Sequence, residues 1–174
     1  ESVSWSDVTS GAVSFRHYPR GFIFAQAANS LFPIESDDIL GLLALGNSSF
    51  VDRMAPLLNP GLHFQIGDAG VLPYLTRSDE GWQDEIRELI AIAQADWDSS
   101  ETSRGFRRPW FLPEGFQAGE FLLADIFESV AHRARSATLR VRELEDKNNR
   151  ELTEQHELDP SYAEPGSITR VSLY

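Results

Sequence analysis

The sequence predicts an α+β fold in which a small β-rich domain is followed by a long helical extension. Short alternating runs of apolar and polar side chains, separated by Pro- and Gly-containing turns, characterise residues 1–78, and two short helices interrupt them. Residues 79–158 instead place their apolar side chains at helical spacing around an arginine-rich loop at 102–113. Residues 159–174 form a tail with an edge strand predicted at 168–173. A chain of 174 residues is long enough to bury such a core.

The strands of the β-rich domain are predicted from period-two patterns. Residues 13–18 alternate apolar and polar side chains, residues 19–21 make a tight turn, and residues 22–24 return as a second strand, which together form a hairpin. A third strand is expected at 30–32, before a proline. A fourth is expected at 62–66, where large apolar side chains alternate with a histidine and a glutamine and direct one face to a core.

Four helices are predicted from capping residues and apolar periodicity. The first covers residues 39–45 behind an acidic start, and the second covers residues 50–58 behind the cap Asn47-Ser48. The third starts within residues 76–80 and presents one apolar face as far as Trp97. The last spans residues 120–157 with a coiled-coil-like seam, a length of about 55 Å. Two adjacent asparagines near its end are a potential interruption.

Charge is distributed unevenly along the chain. Fifteen basic residues against 27 acidic ones give a net charge of −12, which argues against a general nucleic-acid coat because phosphate affinity comes from clustered positive charge. Three segments, at 8–34, 102–113 and 129–142, nevertheless contain arginine or histidine and no acid. All but one of the basic residues are arginine, a bias that a GC-rich genome would also produce. These segments are the candidates for contact with an anionic partner.

Several classes of protein are excluded by what the chain lacks. The absence of cysteine excludes disulfides, thiolate metal sites and cysteine nucleophiles. No apolar run approaches the roughly 20 residues of a membrane helix, and no signal-peptide pattern is present. We therefore expect a cytoplasmic protein with no membrane partner. The first residue is not methionine, which predicts a piece of a longer chain.

No self-contained active site is recognisable. The chain has no Gly-x-Gly-x-x-Gly or phosphate-loop pattern and no Gly-x-Ser-x-Gly elbow. Its four histidines lack metal-ligand spacing, and its many carboxylates form no specific acid–base pair. We therefore predict no catalytic residue, no metal site and no cofactor on this chain.

Arginines combined with aromatic side chains indicate a binding site more clearly than any residues indicate catalysis, and this combination is typical of nucleic-acid contact. Arg16, His17, Tyr18 and Arg20 lie on the predicted hairpin, where strand alternation puts Arg16 and Tyr18 on one face. Arginine donates bidentately to guanine or phosphate, and tyrosine stacks or contacts sugar. The alternative is an ordinary solvent-facing hairpin.

Three further side chains are candidates for DNA contact. Gln65 offers a carboxamide to an adenine edge, or else it is a buried amide that holds the preceding loop through backbone hydrogen bonds. Arg107 and Arg108 lie in the arginine-rich loop between two aromatic residues, Phe106 and Trp110. The arginines of residues 129–142 fall on two opposite helix faces and are interpreted as flanking charge.

Five passages follow one another along the chain: residues 14–22 (SFRHYPRGF), 45–48 (LGNS), 58–68 (LNPGLHFQIGD) leading to 72–73 (LP), 96–98 (DWD) with 101–103 (ETS), and 143–150 (ELEDKNNR). In content and order they resemble the carboxy-terminal part of the PglX family, the adenine-specific DNA methyltransferases of BREX phage-defence systems. The resemblance covers most of the chain. Residues 103–106 (SRGF) depart from it, since relatives tend to carry Ser-Trp-Asp-Phe there.

The resemblance implies a target-recognition region that reads the asymmetric DNA site in which one adenine is methylated. The family transfers a methyl group from S-adenosylmethionine and uses an Asn-Pro-Pro-Tyr-type motif to hold the flipped adenine. Residues 59–62 (NPGL) are not that motif, so the catalytic half is expected upstream of Glu1. The implied partners are double-stranded DNA, the upstream methyltransferase domain and other BREX components. The alternative is a protein-interaction module of the same complex without DNA contact.

Overall fold

The structure, a computed structural model, describes residues 1–35, 38–109, 111–112 and 122–164. It confirms the α+β class, because a three-stranded antiparallel sheet precedes a mainly helical remainder. The elements are, in chain order, β1 (Ser2–Ser6), β2 (Arg16–Tyr18), β3 (Ala28–Leu31), α1 (Asp38–Gly46), α2 (Ser49–Leu58), α3 (Ile66–Ala69), α4 (Trp82–Trp97), α5 (Leu123–Gln155) and a short 3-10 helix (Pro160–Ala163). The predicted strand at 168–173 lies outside the described residues.

The sheet has the order β2-β1-β3, so the amino-terminal strand is central. Ser4 of β1 lies opposite Arg16 of β2 on one side and Ser30 of β3 on the other. The predicted hairpin between residues 13–18 and 22–24 is therefore wrong. β2 pairs with β1, and residues 22–24 form no strand. The physical reason is that β1 supplies a hydrogen-bonding edge for β2 and directs the buried side chain of Val3 into the core, whereas residues 22–24 remain exposed.

The strand predicted at 62–66 is also wrong. His63 forms only an isolated bridge with Val8, and α3 begins at Ile66. Phe64 is 2% exposed, but Leu62 and Ile66 remain exposed. In this alternating pattern only Phe64 is buried in the core, so the pattern does not mark the face of a strand.

The four predicted helices are confirmed, with shifted ends. The side chain of Ser48 caps α2 as expected, accepting a hydrogen bond from the amide of Val51. Pro56 lies inside the last turn of α2. α4 begins at Trp82 rather than within residues 76–80, and α5 runs through Asn148-Asn149 without interruption. Two predicted features lie outside the described residues: the acidic start of α1 at residues 36–37 and the first residues of the long helix, 120–121.

The described chain divides into two compact units, one made of residues 1–87 and 145–164 and the other of residues 88–144. Helices α4 and α5 contribute to both units. The predicted division after residues 78 and 158 stays a prediction.

The core of the first unit is an aromatic cluster beneath the sheet. The rings of Trp5 and Phe15 lie 4.9 Å apart, and that of Phe64 lies 6.1 Å from Trp5. The indole Nε1 of Trp5 donates to the carbonyl oxygen of Phe64 at 2.7 Å, so the segment before α3 is attached to the sheet. Gly46 ends α1 against the ring of Phe15, where a Cβ would come within 2.6 Å.

Two buried asparagines of α5 hold the junction between α1 and α2. Asn148 Nδ2 donates to the carbonyl oxygen of Ala44 at 2.8 Å, and Asn149 Oδ1 accepts from the amide of Ser49 at 2.9 Å. Both bonds satisfy backbone groups at helix ends, which otherwise lack intrahelical partners. The potential interruption of α5 is therefore a packing contact.

A buried arginine connects the segment before α4 to α5. The guanidinium of Arg77, 0% exposed, lies 2.6 Å from Asp79 and 2.9 Å from Glu85. Asp79 also accepts from Gln155 of α5 at 3.1 Å. Hydrogen bonding by Arg77 is the main reason that the pKa of Asp79 falls to about 2.

In the second unit, a bidentate ion pair joins α4 and α5. Arg140 Nε and Nη2 donate to the two carboxylate oxygens of Glu88 at 2.7 and 2.8 Å. Val130, Val141 and Leu144 are the buried apolar side chains of α5 in this unit.

Candidate nucleic-acid interface

The position of β2 is determined by a clamp just before it. The amide of Phe15 donates to Asn47 Oδ1 at 3.0 Å, and Asn47 Nδ2 donates back to the carbonyl oxygen of Phe15 at 3.0 Å. The Phe15 ring is buried in the aromatic cluster. The chain therefore leaves the core at Phe15, and the candidate residues follow directly.

Arg16 and Tyr18 lie on one face of β2, as the alternation predicts. Their partners on β1 are Ser4 and Ser2, and both candidate side chains are exposed. His17 is on the opposite face and is half-buried, with its Nε2 3.8 Å from a carboxylate oxygen of Glu1. Since β2 is an edge strand, Arg16 and Tyr18 occupy the margin of the sheet.

Glu145 of α5 is an acidic neighbour of Arg16 and interacts with it electrostatically. Burial raises the pKa of Glu145 to about 7, the carboxylate of Asp146 adds to the rise, and Arg16 opposes it. Near neutral pH, Glu145 is thus partly protonated. It offsets the positive charge of Arg16 only in part.

Arg20 begins an exposed loop after β2. Gly21, with φ of +98°, allows the turn that follows. Arg20 is exposed and forms no ion pair with any described residue. Arg16, Tyr18 and Arg20 therefore lie within five residues, in a segment without acids.

The structure places Gln65 at the start of α3, where the residue is exposed rather than buried. The loop before it is held by Asp68, whose Oδ2 accepts from the amide of Gln65 at 2.8 Å and from Asn59 Nδ2 at 3.1 Å. The alternative of a buried Gln65 amide is therefore wrong, because a nearby carboxylate supplies the hydrogen bonds to the loop. Contact of Gln65 with DNA stays a prediction.

An aspartate–histidine pair lies beside this segment. His63 Nδ1 is 2.8 Å from Asp7 Oδ2, and Asn29 Nδ2 donates to Asp7 Oδ1 at 3.1 Å. The hydrogen bond from His63 is the main cause that lowers the pKa of Asp7. The pair links the end of β1 to the segment before α3. No local sequence pattern indicates it, because 56 positions separate the two residues.

Arg107 and Arg108 belong to the second compact unit and are both exposed. The loop before them is organised by Asp98, which accepts from the hydroxyl of Ser103. That hydrogen bond is the main cause that lowers the pKa of Asp98, and Arg107 contributes electrostatically. A Cβ on Gly105 would clash with the carboxylate of Asp98, so a larger residue at this point of the 103–106 departure would require that side chain to move.

Arg16 and Tyr18 therefore share one face of β2, and Arg20 follows two residues later in the chain, whereas Arg107 and Arg108 belong to a different unit. Sequence reasoning missed one feature beside the first group, the exposed apolar residues 22–24. The sequence did contain a signal for this exposure: residues 22–24 are three consecutive large apolar side chains with no polar residue between them. A two-stranded hairpin cannot bury both of its faces, so at least one of these side chains would face water.

The described residues do not fit an S-adenosylmethionine site. Nucleotide-type cofactors of open α/β enzymes lie at the carboxyl ends of parallel strands, where the strand order reverses. The described sheet is antiparallel throughout, and the sequence has no glycine-rich phosphate-binding motif. Among the described residues, no cluster of three histidine or acidic side chains could hold a metal ion. No described helix is both long and apolar enough to cross a membrane.

Comparison with known proteins gives two relatives. Over 110 residues, 62% of this chain, it is 32% identical to the adenine-specific methyltransferase BrxX of Escherichia coli O9:H4 (strain HS), of which it covers 9%. Over 142 residues, 75% of this chain, it is 32% identical to the adenine-specific methyltransferase PglX of Lacticaseibacillus casei (strain Zhang), of which it covers 12%. No protein-family model matches the chain.

The relatives are adenine-specific methyltransferases, and the chain spans about a tenth of their length. The chain belongs to the PglX family, as its five passages predict.

Proposed function

We propose that this chain is the DNA target-recognition region of an S-adenosylmethionine-dependent, adenine-specific (N6) DNA methyltransferase in a BREX-type phage-defence system. The observation that carries the proposal is the edge strand β2, which presents Arg16 and Tyr18 on one exposed face and leads directly to Arg20. An arginine fork suits phosphate or a guanine edge, and a tyrosine ring suits sugar or base contact.

The remaining candidates have secondary roles in this proposal. His17 supports β2 from its other face, Gln65 reads a base edge, and Arg107 with Arg108 bind phosphates of the same duplex. Methyl transfer and cofactor binding belong to another part of the protein, because the described sheet is antiparallel and lacks the parallel strands at whose carboxyl ends nucleotide-type cofactors bind. Double-stranded DNA and that catalytic domain are the partners.

Duplex binding at low salt tests the proposal. The double variant Arg16→Ala/Arg20→Ala should bind a duplex about thirtyfold more weakly than the unaltered chain, since two lost phosphate or base contacts at about 1 kcal/mol each are worth about 2 kcal/mol together. Arg87→Ala is the matched control, because Arg87 is also exposed but pairs with Asp84 on α4. Equal affinity of the double variant and the control would reject the assignment to β2.

A second candidate function is a protein-interaction module of the same defence complex. The observation that favours it is the start of α5, where Leu122, Leu123 and Phe127 are each at least 70% exposed. Exposed apolar clusters of this kind mark protein contacts. If the chain binds no duplex at any salt concentration, and Leu123→Ser/Phe127→Ser abolishes capture of another component of the defence system, the interaction module is the correct function.

A further inference from the structure

The loop between β2 and β3 exposes an unusual amount of apolar surface. Ile23 is 95% exposed and Phe24 is 67% exposed, and Phe32, directly after β3, is exposed as well. We define the apolar loop as residues 21–24. Isolated exposed apolar residues are common, but consecutive ones in a short loop mark a binding surface.

The apolar loop has a supporting framework. The ring of Phe22 lies 5.2 Å from that of Tyr18, and the ring of Phe24 lies 5.3 Å from that of Phe32, both edge to face. The amide of Ala28 donates to the carbonyl oxygen of Ala25 at 2.9 Å and closes the turn after the loop. Ile23 thus lies in the sequence between the members of two ring pairs and is the most exposed large apolar residue of the apolar loop.

The charged residues next to the apolar loop indicate an anionic partner. Residues 8–34 contain Arg16, His17 and Arg20 and no acid, although the whole chain carries a net charge of −12. Arg20 directly precedes the loop, and Arg16 lies on the exposed face of β2 before it. Apolar side chains next to arginines, in a segment that itself contains no acid, match a stack of bases bordered by phosphates.

We propose that Ile23 and Phe24 form an apolar wedge that inserts between two base pairs of the bound duplex, while Arg16 and Arg20 contact the flanking phosphates. The inference rests on the proposed DNA-recognition function and adds its mode of contact. Partial unstacking at the inserted step untwists and kinks the duplex at a cost of a few kcal/mol, which the buried apolar surface offsets. Such a step is easier to open at flexible pyrimidine–purine sequences, so the wedge would also contribute indirect readout.

Untwisting of a closed circular plasmid tests the wedge without knowledge of the recognised sequence. The chain is bound to the plasmid, a topoisomerase relaxes it, and the change in linking number is measured after protein removal. The unaltered chain should change the linking number in proportion to bound protein. Ile23→Ser/Phe24→Ser should lose at least about four-fifths of this change while binding the duplex within about fivefold of the unaltered chain, because the phosphate contacts remain.

The control variant is Val71→Ser, which removes an exposed apolar side chain elsewhere in the first unit and should leave the linking-number change intact. Duplex binding without any linking-number change, or an unchanged effect in Ile23→Ser/Phe24→Ser, overturns the wedge but not the DNA-recognition function. Absence of duplex binding by the unaltered chain overturns both. Self-association that Ile23→Ser/Phe24→Ser abolishes, with DNA untwisting unaffected, assigns the loop to a second copy of the chain and also overturns the wedge.

Discussion

Single residues set the position of β2, and the sequence shows them only in part. The motif at 45–48 was recognisable as a helix end and a cap, and Ser48 is that cap. The sequence does not show that the side chain of Asn47 binds the backbone of Phe15, 32 positions away. No local pattern encodes a contact between such distant residues.

Gly46 provides a test at the residue scale. A methyl group at this position would meet the ring of Phe15 at 2.6 Å, and this ring is enclosed by the aromatic cluster. Gly46→Ala should lower the free energy of unfolding by about 1–3 kcal/mol, as overpacked cores do, although alanine favours helix. Urea denaturation measures the difference. Gly67→Ala is the control, since a methyl group there would meet no other side chain or backbone atom within 4 Å, and stability equal to this control would contradict the packing argument.

At the scale of elements, helices were predictable and strand pairing was not. α2, α4 and α5 follow from apolar spacing and caps, which act within a few residues. The pairing of β2 with β1 depends on residues 2–6, whose pattern is ordinary and whose role as the central strand appears only when both faces are buried. The apolar run 22–24 satisfied the pattern of a strand but forms none in the structure.

The network around Arg77 gives a pH-dependent prediction for the attachment of α5. The pKa of Asp79 is lowered from its ordinary value to about 2, so its stabilising effect is present above about pH 4 and is lost as the pH falls through 2. Asp79→Asn should therefore lower the free energy of unfolding by about 1–2 kcal/mol at pH 7, with a difference that shrinks between pH 4 and pH 2.

Thermal unfolding at pH 7, 4 and 3 measures this trend. Asp84→Asn is the control, because Asp84 is 84% exposed and its pair with Arg87 should contribute little at any pH. A difference between Asp79→Asn and the unaltered chain that stays constant down to pH 3 would mean that Asp79 acts by packing rather than by charge.

At the scale of the whole molecule, the net charge of −12 and the proposed DNA contact are compatible because charge is segregated along the chain. Binding to phosphates depends on local arginines, and distant carboxylates are screened beyond about 10 Å at ordinary ionic strength. The acidic total therefore predicts weak non-specific binding rather than no binding, and the number of arginine–phosphate contacts determines the salt sensitivity.

Salt dependence tests this view. The slope of log affinity against log salt should become shallower by about 2 in Arg16→Ala/Arg20→Ala, since each phosphate contact contributes about 0.9. Gln65→Ala is the comparison, because an uncharged base contact should weaken binding without changing the slope. A slope that is the same in all three proteins would exclude Arg16 and Arg20 as phosphate contacts.

By itself, the sequence determined the α+β class, the helices, the acid-free arginine segments and the family, because each depends on local spacing, composition or ordered motifs. The tertiary structure decided the partner of β2, the exposure of Ile23 and Phe24 and the contacts of Arg77 and Asn149. These properties depend on which distant segments meet, and burial of β1 on both faces, rather than any local pattern, selects that arrangement.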